Sequence, residues 1–281
     1  MSATVLPGRS AVAARSRLGT TAGAALTGAA RLWFAVTACG QWIFTAYVVA
    51  LYGGAAVRGD LGAWNRVLPH GYVPGQTVGN AALASHLLFA AILSFGGPLQ
   101  LVPWLRSRFP AVHRWIGRVY VATAFVAGLT GLYLSLSGRR VVGDLSQHVA
   151  IVINGLLILA CAVMAWRTAV ARDFGAHARW ALRLFLVVSG VWFFRVGMMF
   201  WLAVNGGPVG FDPETFRGPF LTFLAFAQSL LPLGVLEAYR RVRTGGTAAG
   251  RLAVAAALFA ATAAMALGIL VAAKVLWLPR L

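Results

Sequence analysis

Four histidines, His86, His113, His148 and His177, follow one another at intervals of 27, 35 and 29 positions. Each stands at or near the N-terminal end of a long apolar segment, about 81–104, 113–136, 146–167 and 179–204, and such segments are long enough to cross a bilayer. Consecutive spans run in opposite directions. His86 and His148 therefore fall near one membrane surface, and His113 and His177 near the other. Neutral imidazoles on facing helices are what a bundle uses to hold an iron between two axial nitrogens. Two such pairs predict two b-type haems, one near each face, with all four histidines as metal ligands. The fifth histidine, His70, lies outside the set.

Helical rotation aligns glycines with these histidines. Gly97 comes 11 positions after His86, Gly155 seven after His148 and Gly131 eighteen after His113, each within about 20° of the same helix face. Glycine lets a flat ligand approach the backbone, so these faces are expected to border the haems. Arg195 lies 18 positions beyond His177, five turns or about 27 Å along a continuous helix, toward the His86/His148 end. A charge at that depth is expected to face the bundle interior or a water-filled cavity and marks a functional site. It suits a haem propionate, or an anionic or quinone head group. Arg114 adjoins His113, and with Arg106, Arg118, Arg179 and Arg183 it surrounds the other pair with positive charge, suited to propionates, an anionic electron donor or phospholipid.

Two other chemistries fit the same residues. Asp144 precedes His148 by four positions, so with His86 the three could hold zinc for a lipid hydrolase, Arg195 taking an anionic head group. Alternatively, a cofactor-free transporter or structural protein would use the histidines as proton relays or interfacial anchors. No GxGxxG, P-loop, CxxC or HExxH signature is present.

The elements that must position these residues are membrane helices. The chain is 60% hydrophobic with mean hydropathy +0.79, too apolar for an ordinary soluble domain. Its net charge of +18 is spread through short segments between spans, whereas a nucleic-acid protein gathers such charge on one soluble face. Nucleic acid is thus not an expected partner; the bilayer is, together with a quinone or small redox donor or acceptor. Cys39 and Cys161 lie inside apolar segments and predict no disulfide framework. The expected fold is all-α and polytopic, with about seven transmembrane helices. Residues 1–31 read as a disordered cytoplasmic tail, and 32–277 as one transmembrane domain with a core unit at 80–204 and flanking spans at 32–52, 219–238 and 252–277. Gly/Pro-rich loops at 53–80 and 205–218 are long enough to fold over the bundle mouths. Alternate loops collect 16 of the 24 basic residues on one side, which the positive-inside rule makes cytoplasmic, with the N-terminus inside and the C-terminus outside. The pattern RWxxR at Arg114–Arg118 and again at Arg179–Arg183 is a short internal echo.

The run HLLFAAILSFGGPLQLVPWLRSRFPAVHRWIGRVYV from His86, SQH at 146–148 and HARWALR from His177 resemble a widespread group of bacterial predicted multi-pass membrane proteins known as a domain of unknown function. HRWxGRxYV is the most specific part of this resemblance, which implies the bacterial inner membrane and no particular activity. More distantly, one histidine on each of four successive spans is similar to the two-haem transmembrane b-type cytochromes. That resemblance implies His86 with His148 and His113 with His177 as ligand pairs, although the histidine intervals differ and no matching donor-site residues are present.

Overall fold

The computed structural model describes residues 9–68, 71–136 and 143–280. His70, Arg139, Arg140 and the tail to residue 8 lie outside the described residues. The chain folds into α1 (Arg9–Val48), α2 (Gly54–Val57), α3 (Thr77–Leu101), α4 (Pro103–Arg108), α5 (Pro110–Leu136), α6 (Leu145–Val170), α7 (Phe174–Val188), α8 (Gly190–Asn205), α9 (Pro219–Gly245) and α10 (Ala248–Ala272). Six helical segments are long and apolar enough to cross a membrane, and α7 with α8, bent by 50°, make a seventh. Among the described residues no strand forms, only one isolated bridge between Asp212 and Arg217.

Local chemistry sets the helix starts. Asp144, Asp173 and Thr247 cap α6, α7 and α10 by accepting from the amides of Gln147, Ala176 and Gly250, groups that have no partner within their own helix. Pro103 and Pro219 open α4 and α9, where a missing N–H costs nothing. The helices then pack in two layers. The histidine-bearing helices form a ring in which α3 packs on α5, α5 on α6 and α6 on α7, with α7 touching α3 to close it. Helix α1 lies along α10, which also packs on α8. In this ring α3 and α6 are diagonal, as are α5 and α7. Its interior is filled by Leu93, Tyr120, Ala124, Ala127, Cys161, Leu184 and Val187 among others.

Two expectations are corrected. The segment 179–204 is not one continuous helix: it breaks at Ser189 between α7 and α8. A Ser-Gly pair is a common site of such kinks, and here the break is held from outside. Gln41 donates to the Ser189 hydroxyl at 2.7 Å, which in turn donates to the Phe185 carbonyl. Gly190 packs against Asn154 and Ser229, themselves joined by a 2.6 Å hydrogen bond. Second, the tail expected to be disordered is helical from Arg9 as part of α1. Its Leu26 and Ala29 bury against Ala255 and Leu258 of α10, so apolar contact supplies the order that composition alone did not suggest. The two Gly/Pro-rich loops are built structures. In the 53–80 loop, Trp64 is buried and donates to the Tyr52 carbonyl at 3.1 Å. The side chains of Asn65 and Asn80 each make two hydrogen bonds, to the backbone of Tyr72 and Val73. The 206–218 loop docks on the start of α6: Gln147 donates to the Phe216 carbonyl, Arg217 to that of Gly143, and Thr222 beyond the loop to Asp144. Within it, the amide of Glu214 and the hydroxyl and amide of Thr215 hold the exposed Asp212 carboxyl below its usual range.

The contacts around Asn154 supply a direct prediction. Asn154→Ala strips the buried Ser229 hydroxyl of its acceptor, which should lower stability by about 1–3 kcal/mol. A denaturation midpoint checks it, and Asn154→Ala with Ser229→Ala should recover part of the loss.

Candidate functional site

At the arginine-rich end the structure brings His113 and His177 together. His113 sits in the first turn of α5, just after Pro110, and His177 in the first turn of α7, where its amide donates to the Asp173 carbonyl at 2.8 Å. The two rings are near enough to affect one another's charge, and Arg106 and Arg114 act on His113 as well. The Nδ1 of His177 lies 2.9 Å from the Ala165 carbonyl. In the neutral ring that nitrogen carries the proton and Nε2 keeps its lone pair. The Nδ1 of His113 is buried without a partner. Around this pair, Arg118 and Arg183 lie over the rings of Trp115 and Trp180 at 5.4 and 4.9 Å, so the two RWxxR motifs share one local geometry. Arg183 and Arg240 both pair with Glu237. Beside them a groove of about 310 Å³ between α7 and α9 is lined by Arg179, Arg240, Arg243 and Tyr239.

At the other end, His86 lies against α5. Its ring meets the backbone of Ala127, a Cβ on Gly131 would stand 3.5 Å from its Cε1, and its buried Nδ1 has no partner. His148 is half-buried in the first turn of α6. Arg195 reaches the neighbourhood of His86, though by a different route from the one counted along a single helix, because the chain bends at Ser189. Its guanidinium lies over Phe44 at 5.7 Å and near Tyr47 and Tyr52.

Two chemical expectations change. Asp144 is committed to capping α6 through one oxygen and to Thr222 through the other. Among the described residues no group of three His, Cys, Asp or Glu could hold a metal ion, so the zinc triad of His86, Asp144 and His148 is not assembled. The glycine faces are also not open. A Cβ on Gly97 would stand 3.0 Å from the Phe185 ring and 3.2 Å from that of Tyr120, and one on Gly155 would stand 2.7 Å from Leu132. These glycines serve close helix packing, their commonest use in membranes. Sequence reasoning passed over Gln41, Asn154, Ser189 and Ser229. Polar side chains inside apolar runs were the signal that could have found them.

A ring of four membrane-length segments with one histidine each, buttressed by three more, defines a polytopic helical membrane protein. Residues 83–214, which include all four histidines and Arg195, match the model of the family described as predicted membrane protein (DUF2306). No curated protein and no solved structure matches the chain.

Proposed function

We propose that the protein carries electrons across a bacterial inner membrane through two histidine-ligated b-type haems. One would be held by His113 and His177, the other by His86 and His148. The observation that carries the reading is the His113–His177 pair: two rings from diagonal helices of the ring, one with an unpartnered buried nitrogen, the other fixed through Nδ1. A second partner on the distal nitrogen is how proteins orient a ligating imidazole. The donor set thus fits at this end. At Gly97 and Gly155 the faces do not fit as they stand, being covered by Phe185, Tyr120 and Leu132. Bound haem supplies one-electron chemistry. The chain's own part would be to hold the group through these imidazoles and to surround the His113/His177 pair with Arg106 and Arg114, which suit an anionic donor on the cytoplasmic side. The distribution of arginines supports an N-terminus on that side and a C-terminus opposite, where a quinone or other small acceptor would be met.

A second reading rests on the break at Ser189. Discontinuous spans with polar groups at the break are a transporter feature, and Gln41, Ser189, Asn154 and Ser229 supply such a cluster without any cofactor. A reduced-minus-oxidised absorption spectrum of the detergent-purified protein, with iron measured on the same sample, separates the two. Sharp b-type bands with about two irons per chain are expected for the first. A colourless, iron-free protein from haem-sufficient cells overturns it and leaves the second.

A further inference from the structure

We propose that Arg195 binds the carboxylate of an amphiphilic, non-protein ligand beside a buried aromatic cluster that reaches the 53–80 loop. An accounting of negative charge leads there. The chain has six acidic residues, and each has other work or another place. Asp60, Asp144 and Asp173 cap helices, Asp212 holds a loop turn, Glu237 pairs with Arg183 and Arg240, and Glu214 is exposed on the 206–218 loop. Among the described residues no side-chain carboxylate remains for Arg195. Its one hydrogen bond is a long one, 3.4 Å to the Val191 carbonyl in its own helix. An unpaired cation within a membrane span is costly unless something neutralises it.

The surroundings indicate what that something is. Phe44, Tyr47, Tyr52, Trp64 and Trp277 are all buried and form a chain of rings running from the guanidinium toward the loop, with centroids 5.5–6.4 Å apart. These rings pack on one another, so an apolar body would lie along the cluster at the arginine and not inside it. At the charged end, Tyr47 and Tyr52 stand near the guanidinium and share a hydrogen bond with one another, which leaves one phenolic donor for a ligand. One guanidinium fork with a phenol matches a singly charged, planar carboxylate; a phosphate dianion would bring more charge than one guanidinium neutralises. Arg195 itself is half-buried rather than sealed, so the cation is within reach of a ligand. The carboxylate could belong to a free fatty acid or to a resident cofactor such as haem. The site does not depend on the electron-transfer reading.

The test uses the full-length protein in a non-ionic detergent at about pH 8, where the probe is ionised. Dodecanoate is titrated against tryptophan fluorescence, with dodecanol as the uncharged comparator, on haem-loaded and haem-depleted preparations. Saturable dodecanoate binding is expected, with dodecanol at least about tenfold weaker and Arg195→Gln weakening dodecanoate by a similar factor. Tyr52→Phe, which keeps the ring, should weaken it about threefold. Binding in both preparations assigns a separate amphiphile. Binding only after haem removal assigns the carboxylate to the cofactor. Equal binding of dodecanol and dodecanoate by the wild-type protein, or none in either preparation, overturns the proposal whether or not Arg195→Gln folds. A protein that lacks haem but discriminates the two probes would sink the electron-transfer reading and leave this site standing.

Discussion

On the two-haem proposal, replacing His113 by leucine is expected to remove the haem at the arginine-rich end and spare the other, so that iron falls from about two per chain to about one and half the b-type absorbance is lost. His177→Leu should do the same. In the haem-free protein the two changes should part company. The Nδ1 of His113 is buried without a partner, so leucine removes an unsatisfied polar atom and should leave stability unchanged or raise it by up to about 1 kcal/mol, the partial exposure of the side chain limiting the gain. His177 loses its hydrogen bond with the Ala165 carbonyl, at a cost of about 1 kcal/mol. Iron content read beside the denaturation midpoint of the haem-free protein distinguishes ligands from mere packing residues. Unchanged iron in both variants would exclude this pair as axial ligands.

Much of this architecture was legible because it follows from length and apolarity. The spans expected at 81–104, 113–136 and 146–167 reappear within a few residues as α3, α5 and α6, since a bilayer fixes how many apolar residues a helix needs. The alternating ends of the histidines follow from that alone. What was not legible depends on neighbours distant in sequence. A helical count from His177 to Arg195 assumes an unbroken helix, and the break at Ser189 is secured by Gln41, 148 positions away. The same holds for the glycines. Rotation correctly places Gly97 and Gly155 on particular faces, but the side chain that meets each face belongs to another helix: Phe185 for one, Leu132 for the other. At the N-terminus, a composition that reads as disordered becomes helix because α10 offers a surface for Leu26 and Ala29. Acid accounting was available from the sequence all along, since only six acidic residues exist. What needed the structure was seeing each of them placed away from Arg195.

Gly268→Ala should be strongly damaging for a single methyl group. Gly268 lies on α10 where it crosses α8, and an added Cβ would overlap the Val196 carbonyl oxygen and stand 3.1 Å from its carbon. Backbone cannot rotate aside as a side chain can, so the helices must separate. Overpacking of this kind costs about 1–3 kcal/mol, and leucine at the same place should cost more and prevent a stable fold. Gly234 in α9 is the control, because nothing lies within 4 Å of a Cβ there. Gly234→Ala should be neutral or stabilising by up to about 1 kcal/mol, as alanine is the better helix former. Denaturation midpoints in one detergent compare the two, and similar shifts would mean that the α8–α10 contact is not close. Separation of these helices also has a functional consequence. Val196 is the neighbour of Arg195, and the segment carrying the buried Trp277 continues from α10, so pushing α8 outward draws the guanidinium away from its aromatic surround. Gly268→Ala protein that still folds should therefore bind dodecanoate more weakly than wild type while dodecanol binding changes less, which ties the closeness of two backbones to the charge recognition proposed at Arg195.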